Sequence, residues 1–154
     1  MPEPQSSEEI VRQAWRIALG QPGGTLATTH SEDGAPYVTF VLFHLRPNGE
    51  VLFGSAETPQ HARNIKATPE VSFLIDNREV IKSDWQAFAR IVIEGRAAEL
   101  ETSSADYREL LSELSEKNRM AAYFTEHGHL YRIMPRRLIL MIGLQPGRAI
   151  VDFD

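Results

Sequence analysis

Residues 36–55, PYVTFVLFHLRPNGEVLFGS, carry the pattern that decides the fold. The segment Pro36–Leu45 is rich in aromatic and β-branched residues, which favours a long strand. The Pro-Asn-Gly sequence at 47–49 predicts a turn. Glu50–Ser55 is then predicted to return as a second strand, so this stretch predicts an antiparallel hairpin.

A second hairpin is predicted immediately before this one. The short β-prone segment Thr25–Thr29 is followed by Asp33-Gly34, a pair typical of hairpin turns. Hairpins rather than helical crossovers connect most strands, and a barrel removes exposed strand edges. We therefore expect a mainly β (α+β) fold, an antiparallel barrel with peripheral helices. The further predicted strands are Val71–Asp76, the segment FARIVIEGRAAEL within Gln86–Leu100, Leu130–Ile133, Leu138–Leu144 and Ala149–Phe153, and Gly95 is expected to form a bulge or a tight bend.

Two long helices are predicted outside the strands. The first spans residues 6–19, where Ser6 and Glu9 have the spacing of a capping box. The second follows Thr102 or Ser103, either of which is expected to cap it. Its apolar residues recur at helical spacing and predict a buried stripe made of Tyr107, Leu110, Leu111 and Leu114.

The composition is that of one globular domain. The chain has 154 residues, of which 42% are hydrophobic and 24% charged. A chain of this length buries about 68–70% of its unfolded surface, so it needs no disulfide or metal to fold. Residues 1–154 are predicted to form a single domain, with the Pro-rich residues 1–5 disordered. The absence of Cys excludes disulfides, thiolate nucleophiles and Cys-ligated metal centres.

The charge pattern argues against nucleic acid and membrane as partners. Sixteen Lys and Arg against twenty-one Asp and Glu give a net charge of −5, and the basic residues are scattered. The acidic, polar start lacks the features of a secretory signal, and no apolar stretch approaches the roughly 18–20 residues of a membrane span. The expected location is the cytoplasm.

No common catalytic motif is present. Ser55 lies in Phe-Gly-Ser-Ala-Glu, which lacks the second glycine of a nucleophile elbow, and no phosphate-binding loop follows Gly20–Gly24. His127 and His129 flank a glycine and would need distant help to bind a metal. Solvent-facing loop histidines are the favoured interpretation, so no metal site and no catalytic residue are predicted.

The segment from Val51 to Ala67, VLFGSAETPQHARNIKA, is the strongest candidate for ligand binding. It predicts a strand and then a short helix that ends near Ala67, with Thr58 as N-cap and Pro59 at the first helical position. The free N–H groups of such a helix favour an anion. Arg63 would supply a bidentate charged contact, and the other donors nearby are Ser55, His61 and Asn64. An ordinary surface helix, with Arg63 and Lys66 solvated, explains the same spacing.

Four motifs occur in an order that is found in a known family. They are ATTHSEDGAP at 27–36, the long strand at 36–45, ARNIKATPEVS at 62–72 and RIVIEGRA at 90–97. With these motifs, residues of about 10–100 resemble the flavin mononucleotide (FMN)-binding split-barrel family related to pyridoxamine 5′-phosphate oxidase.

The resemblance implies a cofactor site shared between two subunits of a homodimer. Main-chain groups of the long strand would line the flavin ring, the end of the next strand and the following helix would bind the ribityl phosphate, and Arg90 would reach the flavin from the second subunit. Gln60 and His61 stand where the oxidase proper carries an Arg-Lys pair. The implied cofactor-binding residues are Thr39, Phe40, Val41, His44, Gly54, Ser55, Gln60, His61, Arg63, Asn64 and Arg90.

The implied function is that of an FMN-dependent oxidoreductase acting on a small-molecule substrate. The C-terminal third lacks the Trp-containing segment and the Arg-x-x-Pro ending of the oxidase proper, so oxidation of pyridoxamine phosphate is not expected. Trp85 either shields the flavin or lies at the dimer seam. Three alternatives stay open: a non-catalytic flavin or deazaflavin module, a haem-binding module that uses His127 or His129, and a dimeric interaction protein without cofactor.

Overall fold

The computed structural model describes residues 3–56, 59–126, 128–144 and 147–154 of the chain. Its helices and strands are α1 (Ser7–Leu19), β1 (Gly23–Thr29), β2 (Pro36–Leu45), β3 (Val51–Ala56), α2 (Gln60–Ala67), β4 (Glu70–Asp76), α3 (Arg78–Ile81), β5 (Ala89–Leu100), α4 (Tyr107–Lys117), α5 (Arg119–Glu126), β6 (Gly128–Ile142) and β7 (Ala149–Asp152), with a 3₁₀ turn at Trp85–Ala87.

The strands form one antiparallel sheet in the order β3-β2-β1-β4-β5-β6-β7. The first half of β6 also pairs with β3, from Val51 opposite Ile133 to Ala56 opposite Gly128, and this pairing closes six strands into a barrel. The second half of β6 pairs with β7 instead. The predicted antiparallel split barrel with peripheral helices is therefore confirmed.

The two strands predicted at Leu130–Ile133 and Leu138–Leu144 are one strand, β6, so that prediction is wrong. Pro135 lies between the two predicted segments, and Pro cannot donate a ladder hydrogen bond. It is tolerated because it lies opposite Gly95, where the register of β5 and β6 shifts in a bulge. The bulge predicted at Gly95 is confirmed, and a Cβ atom there would lie 2.2 Å from the Met134 carbonyl oxygen.

The helix predictions succeed best for α1. Ser6 Oγ accepts from the Glu9 amide at 3.2 Å, and the Glu9 carboxylate accepts from the Ser6 amide at 3.3 Å, which confirms the capping box. Pro59 is the N-cap of α2 rather than its first helical residue, because its backbone is extended at φ −71° and ψ 162°. Thr58 lies outside the described residues. The predicted end at Ala67 is correct.

The later helices depart from the prediction. The helix expected after Thr102 or Ser103 begins only at Tyr107, with Asp106 as N-cap. The side chain of Asp106 accepts a hydrogen bond from Arg132 and does not cap the helix. A second helix, α5, follows immediately after Asn118 and was not predicted. Among the described residues, no helix has the length and apolar character needed to cross a lipid bilayer.

Two apolar clusters hold these elements together. The barrel interior is filled by alternate residues of the strands, with α1 contributing Ile10, Ala14 and Ala18 and α2 contributing Ile65. The outer face of β2, β3 and β6 is covered by α4 and α5. That second cluster contains Leu52, Leu100, Leu110, Leu114, Ala121 and Leu130, with Leu42, Tyr107 and Leu111 partly buried at its margin. The predicted stripe on α4 is therefore at the correct positions.

Lys117, the last residue of α4, ties three segments together. Its ammonium group donates to the carbonyl oxygens of Ala18 at 3.3 Å, Gln21 at 2.7 Å and Phe43 at 3.5 Å. It also lies 4.4 Å from the centre of the Phe43 ring, within cation–π range. Burial lowers the pKa of Lys117 to about 8.

Replacing Lys117 by Met should lower the free energy of unfolding by about 1–3 kcal/mol at pH 7, because the Gln21 carbonyl loses its charged donor. The loss of unfolding free energy should also depend on pH. Lys117 titrates near pH 8 when folded and near 10.5 when unfolded, so the unfolded chain binds more protons in between. The stability of the wild type relative to Lys117→Met should therefore rise from pH 8 to pH 10. Urea unfolding across that range tests this; a constant difference would contradict it.

Candidate functional site

The end of β3 and the start of α2 meet in a buried polar pair. His61 Nε2 lies 2.9 Å from Ser55 Oγ, and the two residues are only 8% and 4% exposed. Ser55 Oγ donates its one proton to the Ala56 carbonyl oxygen at 3.0 Å, so His61 is assigned as the donor to Ser55. Burial lowers the pKa of His61, which makes it neutral at pH 7. The hydroxyl of Ser55 is thus an acceptor for His61 and not an activated nucleophile.

Asn64 fixes α2 against the β1–β2 hairpin. Its side chain is fully buried, and its Oδ1 accepts from the Ser31 amide at 2.8 Å and from Gln60 Nε2 at 2.8 Å. Its Nδ2 donates to Thr28 Oγ1 at 2.9 Å. All of these partners belong to the chain itself. Asn64 therefore acts in this structure by holding the start of α2 in position.

Gln60 and Arg63 form the solvent side of the same junction. Arg63 is exposed, and its Nη2 donates to Gln60 Oε1 at 2.5 Å. Gln60 Nε2 also donates to Ser31 Oγ at 3.1 Å. Gly54 lies beneath α5, where a Cβ atom would come within 2.0 Å of Thr125 Oγ1. The structure thus gathers Gly54, Ser55, Gln60, His61, Arg63 and Asn64 around the first turns of α2.

The other expected residues lie on two faces of β2. Thr39 and Val41 alternate with Phe40, which points out of the barrel and is 66% exposed. His44 is at the far end of the strand, with Nε2 3.4 Å from the Glu113 carboxylate on α4. Burial lowers the pKa of His44. His44 therefore lies with α4 and does not join the Ser55–His61 pair.

An apolar row crosses the outside of the sheet. Register partners on six neighbouring strands form it, and we call it the outer apolar row: Phe40, Thr25, Leu74, Val92, Ile139 and Ile150. The alternate residues of these strands fill the barrel, so the row faces outward. Phe40 is 66% exposed and Ile150 is 45% exposed, which leaves both ends of the row open to solvent.

Arg90 borders this row, two residues before Val92 on the same face of β5. Its Nη2 donates to the Gly143 carbonyl oxygen at 3.2 Å, and its guanidinium carbon lies 5.3 Å from the centre of the Phe88 ring. Its Nε–H is buried and has no acceptor among the described residues. Trp85, which is 48% exposed, packs edge-on against Phe88. Arg90 thus has one donor that the described part of the chain does not satisfy.

A groove of about 610 Å³ separates α2 from β5 and β6. His129, which the sequence analysis considered as a metal or haem ligand, lies in this groove. The sequence analysis did not predict its partner, Glu99, whose carboxylate contacts His129 Nδ1. The two residues lie on different strands, and only the register of β5 and β6 joins them, so no local motif could have revealed the pair. The groove is lined by Ala62, Arg63, Ile65, Lys66, Ala97, Ala98, Glu99, Glu101, His129 and Tyr131.

The described residues contain no group of three His, Asp or Glu side chains able to hold a metal ion. His127, the other histidine considered for a metal or haem, lies outside the described residues. The potential ligand-binding groups are therefore the polar junction at the start of α2, the groove with His129, and Arg90 on the outer face.

The closed six-strand barrel with a seventh strand and peripheral helices is a split-barrel fold. The chain belongs to the pyridoxamine 5′-phosphate oxidase family, whose sequence model matches residues 10–145. The family resemblance seen in the sequence is thereby confirmed. No curated protein gives a significant sequence match.

Several solved structures share the fold. A haem-binding protein from Mycobacterium smegmatis superposes with a TM-score of 0.80 at 22% identity; the match covers 98% of this chain but only 60% of the longer protein. The haem storage protein HutZ from Vibrio cholerae gives a TM-score of 0.67 at 21% identity, covering 85% of this chain and 92% of HutZ. An FAD-binding protein from Mesorhizobium loti gives 0.67 at 16% identity, with 91% and 93% covered. At such identities the likeness shows the fold alone.

Replacing Asn64 by Ala should lower the free energy of unfolding by about 2–4 kcal/mol, because Thr28 and the Ser31 amide lose their buried partner. Lys66→Ala, an exposed change on the same helix, should shift it by no more than about 0.5 kcal/mol. Guanidinium unfolding of the two variants makes the comparison. Equal stabilities would show that Asn64 does not fix α2.

Proposed function

We propose that the protein binds FMN and acts as an oxidoreductase on a small-molecule substrate. The observation that carries the proposal is the gathering of Ser55, Gln60, His61 and Arg63 at the start of α2 in a member of the pyridoxamine 5′-phosphate oxidase family. The exposed guanidinium of Arg63 can form two parallel hydrogen bonds to a phosphate. The helix start adds a favourable field for the anion.

The residues of this chain would bind and orient the cofactor. FMN, when bound, supplies the transfer of a hydride or of two electrons. Arg63 would hold the phosphate, and Gln60 would fix the direction of Arg63 through the contact already present. No described side chain is assigned as general acid or base. We therefore name no catalytic residue. The role assigned to the protein is to bind and orient the cofactor.

The proposed active form is a homodimer, with the second subunit covering the outer apolar row. Such a row spans six strands, and an exposed apolar surface of this kind is typical of an interaction site. The buried Nε–H of Arg90 supports the same arrangement, since a buried donor needs an acceptor. A flavin held by the second subunit would offer ring nitrogen and oxygen acceptors to Arg90.

Haem binding, with or without turnover, is the second candidate. Two solved structures of this fold are described as haem-binding and haem-storing proteins, and one as FAD-binding. The feature of this chain that favours haem is the imidazole of His129 at the groove beside α2. Deazaflavin remains a further alternative to FMN. Because the chain lacks Cys and requires no oxidising compartment, the cytoplasm is the proposed location.

Replacing both His61 and Arg63 by Ala should weaken FMN binding about 10- to 100-fold, since the phosphate loses a charged partner. Fluorescence titration of the protein with FMN measures the change. Arg12→Ala removes an exposed charge from α1 and serves as the matched control, with unchanged affinity expected. If the double variant is unstable, Arg63→Ala alone tests the phosphate contact, because it leaves the buried Ser55–His61 pair intact. Wild-type protein that takes up no FMN would overturn the flavin proposal.

Placing a charge on the outer apolar row should dissociate the dimer. Phe40→Asp is expected to raise the dissociation constant about tenfold or more, because the residue recurs on both sides of a symmetric interface. Met120→Asp changes another exposed apolar side chain, 54% exposed and on α5, and should leave the dimer intact. Sedimentation velocity distinguishes the species. A Phe40→Asp protein that stays dimeric would exclude this face as the interface.

A further inference from the structure

Strand β7 is paired along one edge only. Its ladder runs to the second half of β6, and no other strand among the described residues pairs with it. At the end of this ladder the Phe153 amide donates to the Arg136 carbonyl oxygen at 2.9 Å. Because the backbone groups of an antiparallel strand point alternately to either side, the N–H and C=O groups of Ile150 and Asp152 point away from β6. β7 therefore presents an open edge, to which another strand can pair.

A groove of about 590 Å³ follows this open edge. Four consecutive residues, 151–154, line it. Because successive side chains of a strand point to opposite faces, a groove on one face would meet only every second residue. The groove therefore lies along the edge of the strand. We call it the β7 groove; its other walls are residues of α1 between Ser7 and Trp15, and Pro47 and Asn48 of the β2–β3 turn.

The inner wall of the β7 groove is apolar. Val151 belongs to the barrel core, and Val11 and Phe153 pack against that core. Trp15 is partly buried, and its Nε1–H is buried without an acceptor among the described residues. Buried donors are normally paired. An occupant that carries carbonyl oxygens can supply the acceptor, and an extended peptide carries one at every residue.

The rim of the β7 groove is acidic. Glu8, Asp152 and Asp154 line it as exposed residues, and Arg12 is the basic residue of the lining. Asp152 already accepts a hydrogen bond from Arg137 Nε at 2.9 Å. The carboxylates of Glu8 and Asp154 then outnumber the guanidinium of Arg12. This excess of negative charge favours a basic side chain in the occupant.

An open strand edge beside an apolar groove is the geometry of strand addition, in which main-chain hydrogen bonds give affinity and alternate side chains enter a pocket. We propose that β7 binds an extended peptide as an added strand about as long as its own four residues, with an apolar side chain in the β7 groove and a basic side chain at its rim. The proposal is independent of the cofactor, because the groove shares no residue with the polar junction at the start of α2 or with the outer apolar row.

The test uses the fluorescein-labelled peptide Lys-Val-Phe-Val-Lys and fluorescence anisotropy. The wild type should bind it with a dissociation constant of about 1–100 μM, and a wild type that does not bind it would overturn the proposal. Lys-Val-Pro-Val-Lys lacks the central N–H donor and the aromatic ring, so it should bind at least about tenfold more weakly. The chain has two Trp residues, so the emission of Trp85→Phe protein comes from Trp15. Unlabelled peptide should shift that emission, since Trp15 lines the groove.

The variants Asp152→Pro and Asp152→Ala form a matched pair. Both lose the carboxylate, but only the Pro variant loses the N–H group on the open edge. That N–H does not take part in the ladder with β6, so both variants should fold, which urea unfolding checks. Asp152→Pro should bind the peptide at least about tenfold more weakly than Asp152→Ala. Equal affinities of the two variants would exclude strand addition.

Reversing a charge at the rim gives a second answer if Asp152→Pro is unstable. Glu8 is exposed on α1, and Glu8→Lys should weaken binding of Lys-Val-Phe-Val-Lys and strengthen binding of Glu-Val-Phe-Val-Glu, each about three- to tenfold. An unchanged preference between the two peptides would contradict the assignment of the rim.

A second copy of this chain is the alternative occupant of the open edge. Asp152→Pro should leave the sedimentation coefficient and the FMN affinity at their wild-type values. A shift of this variant to a smaller species would assign the edge to self-association and overturn the peptide proposal. Failure of FMN binding in the wild type, with the peptide results as expected, would remove the flavin proposal alone.

Discussion

The pairing of β3 with β6 is the contact on which the other features depend. It joins residues about eighty positions apart in sequence and converts a sheet into a closed barrel. Because Ser55 pairs with His129, the same ladder brings the polar end of β3 beside the groove. It also determines where α5 must pass, since α5 crosses Gly54 at a distance that excludes any side chain there. Without this pairing, α2 would have no barrel end to cover.

Helix α2 contributes residues both to the polar junction at its start and to the groove beside it. Its inner face carries His61, Asn64 and Ile65 into the end of the barrel. Gln60 lies at its first turn, where it contacts Arg63, and Ala62, Arg63 and Lys66 line the groove. The helix is only eight residues long, and helices this short have little stability of their own. Its position therefore depends on the two hydrogen bonds that join Asn64 to Ser31 and Thr28 and on the packing of Ile65.

Local patterns were enough to predict most of the strands and the segment that forms the polar junction at the start of α2. The bounds of β2 and the end of α2 follow from turn and Pro signals, and the bulge at Gly95 follows from a glycine within a strand. The same patterns do not predict which distant strands pair or in which register. β6 runs through Pro135 because the bulge on β5 lies opposite it, and nothing nearby in sequence shows that Gly95 and Pro135 are partners. The Glu99–His129 pair and the outer apolar row are likewise products of register, which only the folded sheet reveals.

The ammonium group of Lys117 has a consequence for the cooperativity of unfolding. It connects the last turn of α1, the loop before β1 and the C-terminal part of β2 to the end of α4. The end of α4 cannot fray without releasing these acceptors together. Amide protons in the last turns of α1 and α4 should thus exchange with solvent through one shared opening event, although the two helices are almost a hundred residues apart in sequence. The outer helices and the barrel then behave as one folding unit.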